Sequence, residues 1–281
     1  MKIRVMKMGT KSILLFATVL LVVAWGPAMA QEGAKNEAAD QEAELAKKLQ
    51  NPVASLISVP LQFNWDTGIG PEDASRYTLN VQPVIPFSIG KEWNLITRTI
   101  VPFIYAESPV AGGDHKSGLG DIVQSFFLSP KAPTSGGWIW GAGPVLLYPS
   151  ATDSALGSEK WGAGPTAVML KQDSGWTYGL LANHIWSFAG KDSRADVSAT
   201  FLQPFVSYTT KTYTTFGLNT ESTYDWKNSQ WTVPINLTVS QLLKLGNQPI
   251  SLQLGGRYYA EKPDGGPDWG LRLTVTFLFP K

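Results

Sequence analysis

Arg98, Arg257 and Arg272 each stand in the middle of a run in which apolar and polar residues alternate. A guanidinium in such a run must face a polar space, because on a lipid face near the bilayer midplane it costs roughly 2–4 kcal/mol. The polar parity of the chain's other alternating runs carries Gln62, Asn64, Arg76, Asn80, Gln82, Asn219, Glu221, Asn236 and Gln253. Asp121 joins the set, although its run alternates poorly. Amides, guanidinium groups and carboxylates gathered in one confined space can form a ring of mixed charge that sorts a permeating solute. They can equally be the polar filler of a narrow barrel, with Glu221 and Asp121 as the counter-charges that the arginines need. The residue types leave both readings open.

Other chemistry is thinly represented. The chain has two histidines and no cysteine, which removes disulfides, redox motifs and thiolate metal sites. His115-Lys116-Ser117 has the His-x-Ser spacing of an outer-membrane lipid hydrolase, but it lies in a glycine-rich stretch, G-G-D-H-K-S-G. His184, in A-N-H-I-W-S-F, has no second histidine to complete a metal site and reads as an interfacial or packing residue. Asp114 and Asp264 sit in glycine-rich loops and read as solvated acids. Gly118-Leu119-Gly120-Asp121 is too short for a phosphate loop. No catalytic residue, metal or cofactor is expected.

The elements that position the polar set are strands. Trp269 to Phe279 reads W-G-L-R-L-T-V-T-F-L-F, with Trp269, Leu271, Leu273, Val275, Phe277 and Phe279 on one parity. Period-two alternation means a strand with one greasy and one polar face. About twelve such runs follow one another, the first predicted over 53–65 and the second, the cleanest, over 76–87. Aromatics cluster near their ends, as in interfacial girdles. Prolines 83, 102, 144, 165, 204 and 234 fall inside runs and predict bulges or breaks, because proline removes a ladder donor. W-G-A-G-P occurs twice, at Trp140 and at Trp161. Connections such as 88–92 and 172–175 are short; those alternating with them, 66–75, 107–117, 150–160, 190–197 and 261–268, are longer and polar, with 225–230 a short exception. This is the pattern of an all-β, transmembrane, antiparallel up-and-down barrel of about twelve strands, with both termini in the periplasm.

Residues 1–30 carry the parts of a cleaved signal peptide: Lys2, Arg4, Lys7 and Lys11, an apolar stretch from Ser12 to Trp25, and Ala28-Met29-Ala30. Residues 31–52 read as a polar periplasmic leader, disordered or partly helical, and 53–281 as the barrel. The full chain balances 23 basic against 22 acidic residues; removing the signal leaves 19 against 22, a net charge of −3. Nothing in that balance suggests nucleic acid as a partner. The expected partners are outer-membrane lipid, the barrel-assembly machinery and a small-molecule solute.

Several segments resemble a bacterial outer-membrane family associated with the meta-pathway of phenol degradation, whose members are often labelled transporters or neuromedin U. They are N-P-V-A-S-L-I-S-V-P-L-Q-F-N-W-D, Y-T-L-N-V-Q-P-V-I-P-F-S-I, W-N-L-I-T-R-T-I-V-P, G-L-G-D-I, W-G-A-G-P-T-A-V, T-Y-G-L-L-A-N-H-I-W-S-F-A-G and L-Q-P-F-V-S-Y, and they span Asn51 to Phe279. The resemblance implies an outer-membrane barrel with a transport role for aromatic or other hydrophobic compounds, and it carries no catalytic residues. The chain departs from the usual aromatic C-terminus of such barrels, since Phe279 is followed by Pro280-Lys281. The alternatives are a lipid hydrolase working at the barrel's outer face and a structural barrel with a plugged lumen.

Overall fold

The computed structural model describes residues 32–280, so the expected signal peptide lies outside the described residues. From Gln41 onward the chain forms one compact unit. A helix, α1 (Glu32–Leu49), precedes fifteen strand segments: β1 (Ile57–Ile69), β2 (Ala74–Val81), β3 (Val84–Ile89), β4 (Trp93–Ala106), β5 (Lys116–Leu119), β6 (Ile122–Pro130), β7 (Trp138–Tyr148), β8 (Lys160–Asp173), β9 (Trp176–Gly190), β10 (Ser198–Thr209), β11 (Thr214–Thr220), β12 (Ser222–Asp225), β13 (Gln230–Leu245), β14 (Gln248–Glu261) and β15 (Trp269–Phe279). Pairs β2/β3, β5/β6 and β11/β12 are single staves broken mid-way, which leaves a closed antiparallel barrel of twelve strands. Each stave pairs with its sequence neighbours, and β1 closes on β15 from Ile57↔Phe279 to Thr67↔Trp269.

The barrel is inside-out relative to a soluble protein. Along β13, Asn236 is 0% exposed while its neighbour Leu237 is 66% exposed. Asn64, Arg272, Thr274 and Thr276 are buried, whereas Phe63, Leu254, Leu271 and Phe279 are exposed. Only a surrounding that dissolves hydrocarbon makes this arrangement favourable, and closure leaves no unpaired strand edge to desolvate. Aromatics line both ends of the outer face. Trp65 contacts Trp269 at 5.5 Å between centroids near the long-loop rim, and Trp176 contacts Tyr208 at 5.0 Å near the short-turn rim. It follows that Leu252→Arg, on the outer parity, will impair insertion into vesicles, and that Gln253→Arg, on the inner, will not. Equal insertion of the two variants, read by heat-modifiable gel mobility, would contradict the face assignment.

Proline explains the breaks. Pro83 separates β2 from β3, and a register shift falls at Val233/Pro234. The two copies of W-G-A-G-P meet end to end across neighbouring strands, with Pro144 opposite Pro165. Neither nitrogen can donate to its outer neighbour, and the glycine before each proline lets the backbones close in. A Cβ on Gly143 would lie 2.1 Å from the carbonyl oxygen of Phe126, and one on Gly164 would lie 1.7 Å from that of His184.

Turns at one rim are tight except for 131–137; Ser174-Gly175 has both φ angles positive, 49° and 85°, as in a two-residue type I′ hairpin. The opposite rim carries the loops 107–115, 149–159, 191–197 and 262–268. Two of the differences from the expected boundaries bear on the rims. The long connection expected over 66–75 shrinks to 70–73 because β1 continues past Trp65 to Ile69. The first strand begins at Ile57 rather than 53, because residues 53–56 turn into the barrel mouth.

Candidate lumen and its charged strut

The segment that enters the mouth seals it. Ala46, Ala54 and Leu56 pack on Leu242 of β13 and Leu278 of β15. Val53 reaches the opposite wall and packs on Ile96 and Phe127. Polar ties hold the segment in register. Gln172 Nε2 donates to the Lys47 carbonyl at 2.9 Å, Asn94 Nδ2 donates to Ser55 Oγ at 2.7 Å, and Lys244 pairs with Glu42 at 2.7 Å.

Behind this seal the lumen has two unlike walls. Strands β13, β14, β15, β1 and β2 turn amides, hydroxyls and guanidinium groups inward. Strands β4, β6, β8, β9 and β10 turn Ile96, Phe127, Val168, Leu170, Leu181, Phe201 and Phe205 inward. Two cavities follow one another between these walls. One of about 240 Å³ lies against Leu49, Asn51, Ala54 and Leu56 and includes Gln253. The other, of about 300 Å³, is bounded by Asn80 and Glu221 on its polar side and by Ile100, Val123, Leu181, Ile185 and Phe201 on its apolar side, with Asn183 set between Leu181 and Ile185. Gln62, Gln82, Arg98 and Gln203 line both cavities and therefore form the ring where they meet.

A charged strut crosses the polar half. Arg272 forks onto Glu221 with contacts of 2.9 and 2.7 Å, and its Nε donates to Asn64 Oδ1 at 2.8 Å. Arg257 lies 3.6 Å from Glu221 and 3.4 Å from Asp66. Tyr259 donates its hydroxyl to Asp66 at 3.0 Å. Glu221 sits in the break between β11 and β12, with Pro204 and Pro234 on the two neighbouring staves. Its carboxylate thus links the broken stave to β15, which is not its ladder neighbour. Such a pairing recovers in geometry what burial of the charges costs.

Of the residues expected to line the lumen, Gln62, Gln82 and Arg98 stand in the ring, Asn80 and Glu221 in the larger cavity, and Gln253 in the smaller. Arg257 and Arg272 belong to the strut. Asn219 and Asn236 form a hydrogen-bonded pair at 3.0 Å. Asp121 is the exception. It occupies the break between β5 and β6 and accepts from the Ala151 amide at 3.2 Å and from the Ser158 amide and hydroxyl at 2.6 Å each, so it organises the loop 149–159. The counter-charge expected of Asp121 is supplied by Asp66, whose inward parity becomes visible only because β1 runs on past Trp65.

His115 is likewise committed to loop structure. Its Nδ1 accepts from the Ser108 amide at 3.2 Å and its ring lies 5.9 Å from that of Tyr105. His184 faces outward beside Trp186, 4.0 Å between ring centroids, with Thr200 Oγ1 2.7 Å from its Nδ1. Among the described residues no cluster of three or more His, Cys, Asp or Glu is arranged to hold a metal.

The outer loops are tied to one another. Arg194 donates to the carbonyls of Ser154 and Gly157 and pairs with Glu159, and Lys160 pairs with Asp196 at 3.2 Å. The hydrogen bond and charge of Lys160, with the Ser187 hydroxyl, hold the Asp196 carboxyl below its ordinary range. A depressed carboxyl stabilises the folded loop above its unfolded value of about 3.9 and loses that effect as the pH falls through the folded value. Cleavage of the loop 191–197 by pepsin should therefore rise below about pH 4. Asp196→Asn should show the raised cleavage at pH 5 already; no difference between variant and parent there would contradict the tie.

An outer-membrane channel from Pseudomonas putida F1 superposes on the chain with a TM-score of 0.63 at 16% identity, covering 80% of this chain and 96% of that one. The chain has the fold of an outer-membrane β-barrel. The β-domain of a Bordetella autotransporter, BrkA, gives a TM-score of 0.45 at 11% identity, covering 80% of this chain and 100% of its own. No protein-family model matches the sequence, and no curated protein does.

Proposed function

We propose that the chain is an outer-membrane channel for small molecules with an aromatic or other hydrophobic body, exported through a signal peptide cleaved after Ala30 and inserted by the barrel-assembly machinery. The observation that carries this reading is the two-faced lumen. A barrel filled only for stability has no need of two successive cavities joined by a ring of three glutamines and an arginine. A channel for salts or sugars has no need of a wall of Leu181, Ile185 and Phe201. A solute with an apolar body and a polar group can lie against both walls at once and exchange its hydration for contacts on each side. The resemblance to the phenol-degradation family points to the same solute class. The sealing segment 46–56 sets the resting conductance low. Lipid contacts the outer face, and no nucleic acid takes part.

The test is current through a planar bilayer containing the refolded chain, with and without benzoate or phenol. Stepwise conductance that the aromatic solute blocks is the expected result. A folded, inserted barrel that carries no current and admits neither solute would refute the channel reading and leave a structural barrel.

A further inference from the structure

We infer that Arg98 is an anion-recognition site, so that the solute taken by the lumen is a small amphiphile with a carboxylate head. The inference rests on the channel reading and names its substrate class.

The acids of the lumen are already taken. Glu221 is held by both terminal nitrogens of Arg272 and approached by Arg257, and Asp66 is held by Arg257 and Tyr259. Within the ring and strut, the charged groups Arg98, Arg257, Arg272, Asp66 and Glu221 leave one positive charge over, and it is carried by Arg98, which has no carboxylate within 4.0 Å. Its one side-chain hydrogen bond runs from Nη2 to Gln82 Oε1 at 2.9 Å. A guanidinium has five donors in a planar fork, so most of its donors remain for something else. Their geometry matches a carboxylate, which accepts two parallel N–H bonds.

The position suits the task. Arg98 lines both cavities, so an anion moving from one to the other passes it. Gln62 and Gln203 stand beside it in the ring, with amide N–H groups that suit a carboxylate's remaining lone pairs. Along the larger cavity, beginning with Ile100 next to Arg98 on the same face of β4, lie Val123, Leu181, Ile185 and Phe201, where an apolar body is desolvated while its head stays at the ring. A volume of about 300 Å³ is at the small end of ligand pockets, which selects a single ring or a short chain.

Calorimetric titration of the full chain in lipid nanodiscs separates this inference from the channel reading, because binding is measured without flux. The probes are benzoate and its uncharged counterpart benzyl alcohol, in chloride-free buffer. Benzoate should bind at least tenfold more tightly than benzyl alcohol. Arg98→Gln should erase that preference, so that the two probes bind within about twofold of each other, and Arg98→Lys, which keeps the charge but loses the fork, should retain part of it. Equal binding of the two probes by the parent chain would overturn the inference, and that comparison needs no variant. A preference for benzoate that survives in folded Arg98→Gln would overturn it too. Binding of benzoate by a barrel that carries no current would leave the anion site standing and refute the channel.

Discussion

Glu221→Ala should lower the stability of the barrel by about 3–5 kcal/mol, the cost of removing one partner from a buried ion pair. The carboxylate accepts the fork of Arg272 and lies within reach of Arg257, and both guanidinium groups are largely shielded from water. Without it, Asp66 is the one acid left near Arg257 and Arg272. The strut also ties the broken stave β11/β12 to β15, so its loss removes a cross-lumen brace as well as a charge. Urea unfolding in lipid vesicles, followed by the fluorescence of the tryptophans that remain after removal of the signal segment with its Trp25, measures the loss. The double variant Glu221→Leu with Arg272→Met should recover much of it, since a buried pair replaced by apolar groups of similar size is often neutral or better. A loss under about 1 kcal/mol for Glu221→Ala would mean that water enters the strut freely and that the site behaves like a surface pair.

Gly164→Ala should fold poorly or not at all, and Gly143→Ala should be nearly as damaging. Each methyl would meet a backbone carbonyl of the neighbouring strand, at 1.7 and 2.1 Å, and a carbonyl in a ladder cannot move aside like a side chain. Inserting one methylene into a packed core typically costs 1–3 kcal/mol, and these contacts are with rigid backbone, so the upper end of that range is a floor for Gly164. Gly256→Ala is the control, because a Cβ there has nothing within 4 Å. It should change stability by no more than about 0.5 kcal/mol. Heat-modifiable mobility of the three variants decides the matter. A Gly164→Ala barrel as stable as the Gly256→Ala one would show that the strands part without cost at the paired prolines.

The strands were legible because the bilayer imposes alternation. Runs such as 76–87 and 269–279 need one greasy and one polar face, and nothing but a barrel satisfies both in lipid. The lumen was half legible for the same reason. On β13 to β2 the inner parity is polar, so Gln62, Asn80, Gln253, Arg257 and Arg272 stood out against Leu and Val. On β4 to β10 the inner wall is apolar as well, so Phe201, Gln203 and Phe205 share a parity that no contrast reveals, and Gln203 went unassigned to the ring. Asp121 misled for a related reason: its stave breaks at Gly120-Asp121, and parity carries no information across a break. The seal at the mouth was hidden by composition. Leu45, Ala46 and Leu49 are few and scattered among Glu and Lys, so 31–52 reads as a leader, and Val53 and Ala54 read as the start of the first strand, until their contacts with Leu242, Leu278 and Phe127 are seen.

The central claim is that solute passes through the lumen by way of the ring. The chain has no cysteine, so a single one placed by Gln203→Cys is the only thiol present. Leu202→Cys, one residue away and facing lipid, is its partner control. The deciding measurement is single-channel current before and after a small anionic methanethiosulfonate is added. The account predicts that current through the Gln203→Cys barrel falls at least several-fold and returns on reduction, while the Leu202→Cys barrel is unaffected. Current that is equally indifferent to modification at both positions, with labelling of Gln203→Cys confirmed by mass, would show that the ring is not on the path.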